Sequence, residues 1–417
     1  MMKKYFILLV TALLFGACDN DDDNDDDSGV AERTVLVYMA ADNNLSKFAD
    51  QDLKELKEGS KQLGNRQKLI VYVNQSSPNP TYIARIKNGE LVDSTSLADD
   101  ITADPAVMEE MLGYVRRKYP AQSYGLSLWG HATGWIISND SVEYKTSRAY
   151  GVDMGKDRYY WMNIPSMARA IANGMGSDRL RFIFADCCDF LSIESAYELR
   201  NATDYLIGSP AEIPEGGAPY QLIVPTLFNT SANFYETIIN TYYDFYHEDI
   251  IARPSYYFNQ QPGDLAGYSV PLAVIKSDEL DNLAQATARL LETIHEKLTP
   301  EDTIKLNRLM VYCTNNGYKH GYDIYQTLSV NTSENDFNNW KPAFVKAVPY
   351  RRFSAKWLSA SSQLINYMNR FEATADQCGE VSMFFPNNDY KSSSPNMNTA
   401  IQRFQWNDVI RWQQYGW

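Results

Sequence analysis

The chain predicts an α/β fold: a mostly parallel sheet sandwiched between helical layers, with a C-terminal α/β extension or subdomain. Three observations carry that expectation. Residues 34–41, TVLVYMAA, form the continuous apolar run of a strand buried on both faces. A polar turn, an amphipathic helical segment and a second apolar run, KLIVYV, follow it, which makes one βαβ unit with a right-handed crossover. Strand and helix patterns keep alternating to residue 210, which places the sandwich at residues 33–228.

The elements follow in order. Residues 81–97 alternate in polarity around Asn88 and Gly89, a hairpin signal. Helical periodicity over 106–118 leads into the strand YGLSLW, which ends at Gly130 and His131. Residues 138–160 are polar and irregular and carry Lys145, Arg148, Lys156 and Arg158, so an exposed loop accessible to proteolysis is expected. A helix over 164–172 precedes the strand RFIFAD, which runs into Asp186, Cys187 and Cys188. A helix over 191–200 and a strand over 203–210 complete the pattern. Beyond residue 229 the signals weaken to helices over 232–246, 277–298 and 353–373, strands over 267–274 and 380–385, and an aromatic terminal helix. Whether residues 229–417 form a separate domain or extend the same sheet is left open by this pattern.

With 44% hydrophobic and 13% aromatic residues, the chain can bury a large core. Removing the first 32 residues leaves about 385, enough for one large or two medium domains. The net charge of -14 owes much to an aspartate run near the N-terminus, and no basic patch marks a nucleic-acid partner. The five cysteines include no CxxC pair, which argues against a metal site or a disulfide framework. For Cys313 and Cys378, a disulfide and two buried free thiols both fit.

Lys3 and Lys4 precede an apolar run over 5–14 that is too short to span a bilayer, the pattern of a secretory signal over residues 1–17. The segment LLFGAC resembles a bacterial lipobox, which implies lipidation of Cys18. Residues 18–32 then form an acidic tether with nothing apolar to bury. An acidic run directly after the lipidated cysteine is similar to the export signal of Bacteroidetes surface lipoproteins. The expected location is therefore the cell envelope, on the outer face of the outer membrane, with a periplasm-facing lipoprotein as the plainer alternative.

Two strand ends carry the chemistry. Ligands and catalytic groups gather at strand ends in α/β sheets, and here one strand ends in an imidazole and another in a thiol. A cysteine attacks only as thiolate, whose pKa falls beside an imidazolium or a helix N-terminus. Cys188 precedes the predicted 191–200 helix, and His131 can supply the imidazole. His247, His295 and His320 lack this flanking of strand and glycine. Gly130 and Gly134 permit close backbone approach around His131. The plainer readings are a hydrogen-bonded loop histidine and an inert buried thiol. Their joint occurrence at two strand ends favours a cysteine peptidase.

LWGHATGW and FADCCDFLSIESAYEL resemble the two active-site motifs of clostripain-type peptidases, family C11 of the clan that includes caspases, gingipains and legumains. The resemblance implies a caspase-like sandwich and a dyad of His131 and Cys188, with Cys187 as the competing nucleophile. It further implies an oxyanion hole from the backbone N–H groups of Ala132 and Cys188, Ala132 standing where the family usually has glycine. Asp186, two residues before the nucleophile, takes the place of the acid that receives a P1 arginine or lysine, and Glu212 and Glu215 are secondary acids on the rim. Self-cleavage after Lys145 or Arg148 is implied for activation, as in a zymogen. No cofactor is expected, with calcium implied only by some relatives, and the partners are peptide substrates for a monomer. The competing reading is a catalytically inactive peptidase fold that binds peptides or glycans.

Overall fold

The computed structural model describes residues 29–98, 101–136, 149–154, 159–257, 265–315, 318–357, 373–393 and 396–417. The signal, Cys18, most of the acidic tether, Lys145 and Arg148 lie outside the described residues.

The apolar runs form the centre of a nine-stranded sheet. Its strands are β1 (Ala31–Ala41), β2 (Gln67–Gln75), β3 (Tyr82–Lys87), β4 (Glu90–Ser96), β5 (Ala121–Trp129), β8 (Phe182–Asp186), β9 (Tyr205–Gly208), β10 (Leu272–Lys276) and β13 (Tyr350–Arg352). Between β5 and β8 lie the short strands β6 (Tyr150–Asp153) and β7 (Tyr160–Met162), which pair as a separate ribbon. The order across the large sheet is β13-β10-β9-β8-β5-β1-β2-β3-β4. Its five central strands, β9 to β2, run parallel, and antiparallel strands close both edges.

Alternation along each central strand sends side chains to two separate cores. In β1, Leu36, Tyr38 and Ala40 join one core, while Val35, Val37, Met39 and Ala41 join the other. The first core is covered by α2 (Pro105–Lys118) and α3 (Ile164–Met175), and the second by α1 (Ser46–Ser60), α5 (Tyr220–Leu227) and α6 (Phe234–Ala252). The helix α4 (Ile193–Leu199) follows β8 and is buried along its whole length. The Asn88-Gly89 hairpin forms as expected, with φ of 51° and 85° at the two turn residues, the left-handed pair of a type I′ turn.

Residues 229–417 add β10 and β13 to this same sheet and build a small second one, β11 (Val311–Asn315), β12 (Tyr318–Asp323) and β14 (Ser382–Met383). Ser382 N–H bonds to the Leu191 carbonyl at 3.2 Å, which ties the second sheet to the segment that follows β8. The expected helix over 353–373 is not helical at 353–357, and most of its remainder lies outside the described residues. The aromatic C-terminus packs down, with Trp406, Trp412 and Tyr415 buried in the first core. No described helix is long and apolar enough to cross a membrane.

Candidate active site

Chain order reverses between β1 and β5: from β1 the chain moves one way to β2, and from β5 it moves the other way to β8 and β9. At such a switch point the loops beyond the carboxyl ends of the strands diverge and leave a crevice. His131 lies two residues beyond β5, and Cys188 two residues beyond β8. Because β5 and β8 pair in parallel with Trp129 opposite Asp186, His131 and Cys188 stand at equivalent heights past neighbouring strand ends.

Gly130 makes the exit of β5 feasible. Its φ is 140°, and a Cβ there would sit 2.9 Å from the Ala40 carbonyl oxygen. The His131 backbone is then pinned by a bridge between Ala132 and Tyr150, in which Gly151 N–H donates to the His131 carbonyl and Thr133 N–H to that of Ala149. In that bridge the N–H of Ala132 lies outside the pair of bonds. The half-buried imidazole bonds through Nε2 to Asn44 Oδ1 at 2.8 Å. Asn44 follows β1, and sequence reasoning did not single it out. An asparagine in a polar turn reads as turn chemistry unless its neighbour across the sheet is known.

The strand alternation separates the adjacent cysteines. Cys187 is 1% exposed and packs into the first core, whereas Cys188 is partly exposed on the opposite face. Cys188 is the only described cysteine that is not buried, and Cys313 and Cys378 are buried free thiols. Its Sγ accepts from the N–H of Ile213 at 3.5 Å, in the segment between β9 and α5.

The expected help from a helix N-terminus is absent. The helix α4 begins at Ile193 and is capped by Ser192, so a four-residue turn, with Asp189 at φ 56°, separates it from Cys188. Desolvation of the partly covered thiol, followed by the nearby charges of Asp189 and Glu212, instead pushes Cys188 well above its ordinary pKa. The resting thiol is therefore protonated, and its ionisation depends on a proton acceptor.

Asp186 is 3% exposed, and its Oδ1 accepts from Ala218 N–H at 2.9 Å and from the Tyr242 hydroxyl at 3.1 Å. It thereby fastens the 209–220 segment to the end of β8. Burial raises its pKa to about 6 despite those hydrogen bonds. Glu212 is half-buried beside Cys188 and Asp189, and Glu215 is exposed. A further acid, Asp52 of α1, lies fully buried near Asp186, its Oδ2 accepting from Trp129 Nε1 at 2.5 Å. Burial first, and then Asp186, lift its pKa to about 9. Among the described residues, no group of three or more His, Cys, Asp or Glu side chains gathers as a metal site.

These features define a caspase-like cysteine peptidase fold with an imidazole and a thiol at adjacent strand ends. The chain belongs to the clostripain family, whose profile matches residues 37–410. It is similar to a secreted C11 cysteine protease from Bacteroides thetaiotaomicron solved with an irreversible peptide inhibitor, with 28% identity, 92% of this chain and 99% of that one covered, and a TM-score of 0.72. An inactive zymogen C11 protease from Parabacteroides distasonis is similar over the same shares of the two chains, with 25% identity and a TM-score of 0.69. A second secreted C11 protease from B. thetaiotaomicron shares the fold at 19% identity and a TM-score of 0.67. No curated protein matches the chain.

Proposed function

We propose that the protein is an endopeptidase that cuts after arginine or lysine, with Cys188 as nucleophile and His131 as proton carrier. The observation that carries this reading is the parallel register of β5 and β8, which sets the two residues at matching positions beside the switch-point crevice. Cys188 passes its proton to the imidazole, attacks the substrate carbonyl and forms a thioester through a tetrahedral oxyanion. The N–H groups of Ala132 and Cys188 would hold that oxyanion. His131 returns the proton to the leaving amine, and water then hydrolyses the thioester. Asp186, with Glu212 and Glu215 nearer the rim, would favour a cationic P1 side chain over neutral or acidic ones.

The protonated, backbone-bonded thiol fits a precursor that gains activity when the loop between β5 and β6 is cut after Lys145 or Arg148. Under the same proposal the body sits on the outer-membrane surface, anchored through lipidated Cys18. Incorporation of a palmitate analogue that disappears in Cys18→Ala would establish the anchor.

Hydrolysis of fluorogenic peptides with Arg, Lys, Asp or Ala at P1, with calcium and with a chelator, tests the reaction. Turnover of Arg or Lys peptides that is lost in Cys188→Ala and kept in Cys187→Ala is expected. No turnover by intact or trypsin-nicked protein, together with saturable peptide or glycan binding, would favour the non-catalytic alternative.

A further inference from the structure

The turn after β1 is built to hold one side chain still. In Asn43, the side-chain amide donates to the carbonyls of Ala40 at 2.9 Å and Val152 at 2.8 Å, and its oxygen accepts from Leu45 N–H at 2.9 Å. The Asp42 carbonyl accepts from Met154 N–H at 2.8 Å. These bonds fasten the turn to the β6 segment, the same segment that pins the His131 backbone. Asn44 is the next residue, and its exposed side chain reaches the imidazole at 2.8 Å.

We propose that Asn44 is a positioning residue for His131: its Oδ1 accepts from Nε2–H and so fixes the tautomer and the plane of the ring. The inference rests on the His131 and Cys188 reading. A neutral imidazole has one protonated and one bare nitrogen, and the hydrogen bond made by the first decides which one is bare. With Nε2–H committed to Asn44, the lone pair lies on Nδ1. The thiol proton of Cys188 then moves to Nδ1, giving thiolate and imidazolium, and the same Nδ1–H later protonates the departing amine. Charge and protons balance without a further group. An amide suits this task because it orients the ring while adding no charge. A carboxylate in its place would stabilise the imidazolium and raise its pKa.

The two strands that carry the pair explain why it exists. Asn44 and His131 follow β1 and β5, the neighbours between which the chain order reverses, so their loops diverge over the crevice while the strand ends stay adjacent. Met39 pairs with Trp129 in the parallel ladder, five residues before Asn44 and two before His131, and the compact Asn43 turn takes up the difference.

The test is steady-state hydrolysis of an Arg-P1 peptide across pH by the full-length wild type and by Asn44→Ala, Asn44→Asp and His131→Ala. The expected result for Asn44→Ala is a fall in kcat of roughly 10- to 100-fold with little change in KM, as misorientation of a catalytic group produces. Asn44→Asp should recover most of that loss and move the imidazole-controlled limb of the pH profile upward, which a structural role would not do. An Asn44→Ala protein with wild-type kcat and pH profile, beside an inactive His131→Ala, would overturn this inference and leave the dyad standing. A loss in Asn44→Ala confined to thermal stability, with the profile unmoved in Asn44→Asp, would also overturn it. Undiminished turnover by His131→Ala would sink the dyad itself and the inference with it.

Discussion

Under the proposed function, one carboxyl group, that of Asp186, would answer two demands. Its Oδ1 holds Ala218 N–H and the Tyr242 hydroxyl, and its buried Oδ2 faces Gly217, where a Cβ would lie only 2.8 Å away. Fastening the 209–220 segment needs an acceptor, whereas attracting a P1 cation needs a charge. With a pKa raised to about 6, the charge is present at neutral pH and lost as pH falls below that value. For the free protein, kcat/KM toward Arg and Lys peptides should therefore drop as pH falls through about 6, approaching tenfold per unit well below it. Asp186→Asn keeps the acceptor and removes the charge, so it should flatten this limb and abolish the preference for a cationic P1. A preference that survives in Asp186→Asn would assign the P1 contact to Glu212, Glu215 or another acid.

At the scale of elements, α1 hides an ionisable group that its sequence does not betray. Ala49, Asp52 and Leu56 share the buried stripe, but one aspartate among the charged residues of SKFADQDLKELKEG reads as part of a solvated face. Its pKa of about 9 lies far above the roughly 3.9 of an unfolded chain. The folded state therefore keeps a proton that the unfolded state releases above about pH 4. Stability is undiminished below that pH, declines as pH rises toward about 9, and levels off beyond. Asp52→Asn removes the titration but leaves a buried amide N–H to satisfy. The expected net gain is on the order of 1–3 kcal/mol at pH 7, smaller at pH 5 and larger at pH 9. Urea denaturation at those three values measures it, and a pH-independent loss in the variant would mean that Asp52 is ionised in the folded state. What the sequence did reveal depended on period. The continuous runs of β1, β2, β5 and β8 fixed their identity as buried parallel strands, and the positions of His131 and Cys188 at strand ends came with them. The two-residue strand β14 and the three-residue β13 carry too few residues for any period to register. Asn44 and Asp52 become informative only once the sheet brings the ends of β1, β5 and β8 together.

Across the whole molecule, the loop proposed to be cut lies between β5 and β8, which the large sheet holds side by side. A break after Lys145 or Arg148 would leave β1 to β5 on one piece and β6 onward on the other. The pieces would still share the parallel pairing of β5 with β8 along Gly125 to Trp129, and α2 packed with α3 over the first core. They would also share the second core, where α1 meets α5 so closely that a Cβ at Gly59 would lie 2.7 Å from the Tyr220 carbonyl. Arg33 of β1 donates to the Leu227 carbonyl at 2.9 Å and the Asn229 carbonyl at 2.7 Å, which adds a buried tie between them. Such an interface is a divided domain core, far more apolar than a transient contact. Cut protein should therefore elute as one species in size exclusion, and its fragments should separate in denaturing gels without reductant, because all four described cysteines are free. Cys188→Ala should remain uncut, while adding a small amount of active protein should cut it if the reaction runs between molecules. Fragments that part under native conditions would show that the loop, rather than the shared core, holds the two halves together.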